Sequence, residues 1–245
     1  MKKTHSSIKK IALGLLLPAF SAPFVQAAEV DVTIENLTRG IFFTPLAVTA
    51  HPEGSSLFEL GSVASDDLQA MAEGGDLSGI EASLDALGAV QSNNPASGLL
   101  EPGSMTSTSL NTDGTSNVLL SVVGMILPSN DGFIALNGIE IPSESGTYTY
   151  YAKAYDAGTE ANDEVVGSGA VGEAGFPAPG LVAATLGENG TGIVATAEGY
   201  VHIHRGALGD LDADGGVSDL DSTTHRWLNP IAKITVTVSE YRAEL

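Results

Sequence analysis

The stretch NVLLSVVGMIL, Asn117 to Leu127, decides the fold class. It is apolar at consecutive positions, which suits a strand buried on both faces. Its companions alternate instead. In VDVTIEN (Val30–Asn36), Val30, Val32 and Ile34 fall on one face. MTSTSLN (Met105–Asn111), TYTYYAKAY (Thr147–Tyr155) and AKITVTVSEY (Ala232–Tyr241) repeat the same period and are rich in Thr, Val and Tyr. That is the pattern of half-buried antiparallel strands. GFIALNGIEI (Gly132–Ile141) and GYVHIHRG (Gly199–Gly206) extend the set. The sum is about eight strands separated by Gly, Asn, Asp and Ser turns, which predicts an all-β antiparallel β-sandwich.

One region between the early strands breaks the pattern. SDDLQAMAEGGDLSGIEASLDALG (Ser65–Gly88) favours helix formers and predicts two short helices. Ser65 is the expected N-cap, with acids in the first turn. Gly74, Gly75 and Gly79 keep both helices short. VGSGAVGEAGFPAPG (Val166–Gly180) reads as a long flexible loop, since strands on both sides of it are needed to complete the sandwich. No internal linker or repeat divides the chain, so residues 28–245 are expected to form a single domain.

The first residues have a different character. MKKTHSSIKK is basic, IALGLLLPAF is apolar but short and broken by proline, and VQAA offers small residues at Val25 and Ala27. Residues 1–27 therefore read as a bacterial secretory signal peptide, with a periplasmic or secreted product. No later apolar run is long enough for a membrane span. Removing the signal leaves 6 basic side chains against 30 acidic ones, a net charge of −24. Nucleic acid and anionic membrane are poor partners for such a chain, and cations are good ones. Cysteine is absent from all 245 residues. That excludes disulfides, lipidation on cysteine, zinc–thiolate sites and cysteine nucleophiles.

Two acidic segments stand where predicted strands end in turns. ILPSNDGF carries Asp131; AYDAGTEANDE carries Asp156, Glu160, Asp163 and Glu164. Loops from several strand ends gather at one pole of an antiparallel sandwich, so Asp131 can meet Asp156 and Glu160 there. Gly158 lets the chain turn between Asp156 and Glu160. Calcium takes 6–8 oxygen ligands in flexible geometry and relieves the repulsion of clustered carboxylates. Spacing alone leaves a calcium site and a solvated acidic loop as alternatives.

These segments also carry a resemblance. ENLT, TPLAVTAH, LFELGSVAS, LPSNDGFIALN, YDAGTEANDE and the closing WLNPIAKITV, from about Val30 to Glu240, are similar to the spondin-domain family, the module of F-spondin found also in single-domain secreted bacterial proteins. The resemblance implies a C2-like β-sandwich with one calcium ion at a loop pole, held by Asp131, Asp156 and Glu160. Glu160 stands where animal relatives carry Asp, and the cysteines of animal forms are missing. The implied function is that of a non-enzymatic calcium-binding adhesion module that engages an extracellular protein or polysaccharide.

Three weaker features remain. DLDADGGVSDLD (Asp210–Asp221) places carboxylates at Asp210, Asp212, Asp214 and Asp221 with Gly215 sixth, close to a calcium loop. Its last position is Asp rather than Glu, and its flanks read as strands, so an acidic inter-strand loop is favoured over a second calcium site. His202 and His204 are two apart on a predicted strand and share a face; with Asp210 or His225 they would suit a transition metal, against the plainer reading of a hydrogen-bonded surface pair. Trp227, the only tryptophan, reads as a residue packed under a loop. No G-x-S-x-G elbow is present, and an extracellular hydrolase acting on polysaccharide is the alternative function. NLT at Asn36 and NGT at Asn189 match the glycosylation sequon, which carries little meaning behind a bacterial signal.

Overall fold

The computed structural model describes residues 28–193 and 196–240. The predicted signal segment, residues 1–27, lies outside them. Ten strands are present among the described residues. They are β1 (Ala28–Asn36), β2 (Phe42–Phe43), β3 (Ala47–Pro52), β4 (Val90–Asn93), β5 (Met105–Asn111), β6 (Asn117–Leu127), β7 (Gly132–Glu140), β8 (Gly146–Asp156), β9 (His202–Ile203) and β10 (Ala232–Glu240). Three helices join them: α1 (Asp66–Gly74), α2 (Ser78–Ala86) and the single turn α3 (Gly180–Ala183). Among the described residues, no helix is long and apolar enough to cross a membrane.

Every strand pairing is antiparallel, in the order β4-β3-β6-β7-β8-β10-β1-β5, with β2 added to β6 and β9 to β8. The all-β antiparallel expectation holds. The pairing path is one sheet rather than two separately bonded layers, so the expected C2-like sandwich is not what the hydrogen bonds themselves delineate. The path curls towards closure, and a Ser92–Thr108 hydroxyl contact joins its two end strands. The turn comes within β8. Its first part, through Ala152, pairs with β10, and its last residues, Lys153–Asp156, pair with β7. A strand that changes partners in this way makes a corner between two strand groups.

The main core fills the space that the curl encloses. Val30, Val32 and Ile34 of β1 meet Ile234, Val236 and Val238 of β10, Val48 and Ala50 of β3, and Leu120 and Val122 of β6. These are the inward positions of the period-two pattern. A second apolar cluster lies on the outer face of β6 and β7, where Leu68 and Met71 of α1 and Ile80 and Leu84 of α2 cover Val123, Met125, Phe133 and Ala135. Strand β6 is therefore buried on both faces, as its continuous apolar run predicts. Gly124 in its middle leaves room for Leu46, whose side chain would stand 2.7 Å from a Cβ there.

The two helices form where expected. Ser65 is the N-cap of α1, its Oγ accepting from the amide of Leu68, and Gly75 closes the helix in the left-handed region at φ 71°. The 166–180 loop is more firmly held than its composition suggests. Phe176 is fully buried in the main core, and the Gly172 amide donates to Glu73 of α1. Asn36 is buried as well. It donates to the carbonyls of Ile41 and Leu100 and accepts from Thr38, so the ENLT sequence serves the fold.

The two-sided burial of β6 has a measurable consequence. Val122→Thr and Val123→Thr each place an unmatched hydroxyl in a core and should each destabilise by about 1–3 kcal/mol in denaturant melts. On β10, only Val236→Thr should do so, while its neighbour Thr237→Val should be near neutral. Tolerance at Val122 or Val123 would contradict burial of both faces.

Candidate functional site

The β7–β8 ladder pairs Gly132 with Asp156, so Asp131 and Asp156 emerge together at one end of the sheet. The Ala157 amide donates to the Asp131 carbonyl and continues that pairing by one step. Ser129 shapes the turn before β7, donating to the Ile126 carbonyl and accepting from the Gly132 amide. The carboxylate of Asp131 then caps the next turn. Its Oδ2 accepts from the amides of Thr159 at 2.7 Å and Glu160 at 3.1 Å, and from the Thr159 hydroxyl at 3.2 Å. Asp156 Oδ1 accepts from the Gly158 amide at 2.9 Å, and its Oδ2 from Asn162 Nδ2 at 2.9 Å. Gly158 takes φ 70°, and a Cβ there would collide with the Tyr200 backbone. Glycine is thus required twice, for the turn and for the close approach of residues 198–204.

The acids are deeply buried. Asp131 is 0% exposed, Asp156 1% and Glu160 7%. Asp131 Oδ1 and both Glu160 carboxylate oxygens have no partner in hydrogen-bond geometry, although the Asn130 side chain lies close enough to Glu160 to favour its ionised form. Burial, and then the charge of Asp156, push the Asp131 carboxyl up to about 7 despite the amides that favour its ionised form. Burial pushes Glu160 up to about 8, helped by the charges of Glu73, Asp131 and Asp163. Asp131 and Glu160 share one acidic environment, which Glu73 of α1 enters unannounced by any motif. Asp163 and Glu164 are occupied elsewhere. Asp163 accepts from Asn130 and the Val165 amide. Glu164 accepts from the amides of Leu208 and Gly209 and from the Ser218 hydroxyl.

Asp156 faces a second group. His202 Nε2 lies 3.5 Å from Asp156 Oδ1 and 3.7 Å from Glu198 Oε2. His204 Nε2 lies 3.9 Å from Asp156 Oδ2. Among the described residues, Asp156, Glu198 and His202 are the one set of three potential metal ligands whose donor atoms all lie within 4.8 Å of one another. Asp131 and Glu160 do not enter a set that tight. The two histidines share a face, as predicted, but the side chain they face is Asp156 rather than Asp210 or His225. His225 is buried apart, accepting from the Asp221 amide and contacting the Thr185 hydroxyl. Glu198, which precedes His202 by one helical-type spacing in a segment with no periodic pattern, had no sequence signal.

The Asp210–Asp221 loop lies between strands and has no flanking helices. Two of its carboxylates are bound within the loop: Asp210 accepts from the amides of Val217, Asp212 and Ser218, and Asp221 from the Thr223 hydroxyl and from the amides of Thr223 and Thr224. Those bonds hold both carboxyls below their usual range. Trp227 is 9% exposed and packs against the His204 ring in a tilted arrangement at a centroid distance of 4.9 Å, the packed position expected of it.

The family model described as Spondin_N matches residues 37–165, slightly more than half of the chain, and ends before the 198–204 segment. No curated protein matches the chain.

Linkage between protonation and folding gives a pH test of the metal-free protein. The carboxyls of Asp131 and Glu160 sit above their unfolded values, so they oppose folding at alkaline pH, and that opposition is relieved as pH falls through about 8 and about 7. His51, His204 and His225 are shifted down by burial and oppose folding once pH drops below their unfolded value of 6.5. In chelator, the melting midpoint should rise as pH is lowered from 9 towards 7. The rise should shrink in Glu160→Gln, and a midpoint that falls monotonically over that range would contradict the site's electrostatics.

Proposed function

This chain belongs to the Spondin_N family, and from that membership together with the geometry above we propose that it is an exported, single-domain, non-enzymatic module whose loop pole is ordered by calcium. The observation that carries the reading is the set of buried carboxylate oxygens without partners, Asp131 Oδ1 and Glu160 Oε1 and Oε2. A buried ionised carboxylate costs several kcal/mol unless it is compensated. A hard cation with oxygen ligands is the compensation that such a donor set accepts, and calcium tolerates the irregular geometry. Asp131 and Glu160 would supply direct ligands, with Asp156 beside Asp131 as the third carboxylate of the site. The ion would brace the 157–160 turn and the loops packed on it, giving a pre-organised surface for an extracellular protein or polysaccharide.

A hydrolase acting on polysaccharide is the less favoured reading. A cavity of about 190 Å³ is lined by Asp156, Asn162, Glu164, His204 and Arg205 among others. Its two carboxylates are occupied, Glu164 by three donors and Asp156 by Gly158 and Asn162. A glycosidase needs one acid free to donate a proton and a second free to act as base or nucleophile.

Thermal melts of the purified protein with chelator and then with calcium test the proposal. Calcium at a hundredfold its dissociation constant stabilises the native state by about 2.7 kcal/mol, equivalent to roughly 5–10 °C for a chain of this size. Asp131→Asn and Glu160→Gln keep the side-chain shapes and should each remove most of that rise. An undiminished rise in the double variant would sink the assignment and return attention to Asp210–Asp221.

A further inference from the structure

The 198–204 segment carries a second, chemically different arrangement. We propose that Asp156, Glu198 and His202 form a binding site for a divalent transition metal of the zinc type, which differs from the all-oxygen calcium position in its imidazole donor and shares Asp156 with it.

The argument begins with the proton on each imidazole. His202 Nδ1 stands 3.1 Å from the carbonyl of Ile203, an oxygen that can only accept, so Nδ1 carries the proton. In the neutral ring, Nε2 then holds a lone pair. That lone pair has no hydrogen-bond partner and faces two carboxylate oxygens, Asp156 Oδ1 at 3.5 Å and Glu198 Oε2 at 3.7 Å. Three acceptors converging on one point repel one another unless a cation lies between them. A backbone carbonyl that fixes Nδ1–H and so aims Nε2 is the usual support for a metal-ligating histidine.

His204 has the opposite tautomer. The Gly206 amide donates to its Nδ1 at 3.0 Å, so the proton of the neutral ring is on Nε2. That nitrogen then has no lone pair for a metal; it lies 3.9 Å from Asp156 Oδ2, beyond hydrogen-bond reach, with no other partner. His204, 7% exposed and packed on Trp227, is a positioning residue for Asp156. Asn162 donates to the same Oδ2, and Oδ1 is left towards His202 with the Gly158 amide as its other contact. Arg205 plays a similar part for Glu198, lying 3.7 Å from Oε1 and leaving Oε2 towards the imidazole.

The donor types decide the class of ion, and the spacing agrees, with the carboxylate–carboxylate edge within 4.8 Å. Two ligands bound tetrahedrally at about 2.0–2.2 Å lie about 3.3–3.6 Å apart. The observed edges of 3.5 and 3.7 Å match that figure with little movement. One imidazole and two carboxylates suit zinc and its neighbours, whereas calcium prefers oxygen donors alone. Three protein ligands leave a fourth position for water or for a group from a partner.

The test is a titration of chelator-stripped protein with zinc chloride by calorimetry, repeated with cobalt chloride by visible absorption. One equivalent of zinc should bind, and cobalt should give the intense bands of a tetrahedral centre. His202→Gln and Glu198→Gln should abolish both signals while leaving the calcium-induced rise in melting midpoint intact. His204→Gln should weaken zinc about 10–100-fold without removing the cobalt spectrum, as expected of a residue acting through Asp156. Asp131→Asn should lose the calcium response and retain zinc, which separates failure of one site from failure of the other. The proposal is overturned if wild-type protein binds no zinc equivalent. It is overturned equally if zinc binding survives in His202→Gln.

Discussion

Two carboxylates taken almost wholly out of water, Asp131 and Asp156, stand side by side at the end of the β7–β8 ladder. Removing an ionised carboxylate from water costs several kcal/mol, and placing two together adds their repulsion. The surrounding chain is arranged around that cost. The backbone amides of Thr159 and Glu160 turn towards Asp131, and the Gly158 amide and the Asn162 side chain towards Asp156. Residues 198–204 pack against the glycine of that turn, which brings Glu198, His202 and His204 to the other side of Asp156. The loop conformations follow from the need to surround these charges with donors.

The scaffold makes such a cluster tolerable because it is rigid where the acids are attached. Strand β6 is packed on both faces, and β7 shares its outer cover of helices. Asp131 leaves β7 directly, and Asp156 is the last residue of a strand bonded on both sides, to β7 and to β9. Local opening there requires breaking ladder hydrogen bonds in well-packed strands. Compensated charge and rigid support are together what a cation site needs. The acidic loop at Asp210–Asp221 has no unserved buried acid: Asp212 and Asp214 are exposed, Asp210 and Asp221 are served by the loop's own donors, and the buried Asp219 accepts from the amides of Val166 and Gly190. The resemblance of its spacing to a calcium loop reflects the same Asx-turn chemistry without the unsatisfied oxygens.

Asp156 links the two candidate cation positions. It raises the proton affinity of Asp131 on one side and faces an imidazole on the other. A cation bound on either side lowers the negative potential felt on the other, so the two positions would compete electrostatically even though their donor sets differ. The family match stops at residue 165, so Asp131, Asp156 and Glu160 fall inside it and the histidine side of Asp156 falls outside.

By itself the sequence determined seven of the ten strands, the helices α1 and α2 and their faces, because period-two alternation and helix capping are local properties; the short β2, β3 and β4 and the single turn α3 carried no such pattern. It marked β6 as two-sided through its unbroken apolar run, Ser65 as a cap, and Asp131, Asp156 and Glu160 as strand-end acids. Only the tertiary structure decided the rest. The single curled sheet depends on β8 changing partners at Ala152–Lys153, which no periodicity encodes. The meeting of Glu73 with Glu160, and of Glu198 and His202 with Asp156, depends on contacts between segments far apart in the chain. Which nitrogen of each histidine carries its proton depends on a single backbone group beside it. Spacing along a chain reports which side chains share a face; it carries no information on what a distant loop will lay against that face.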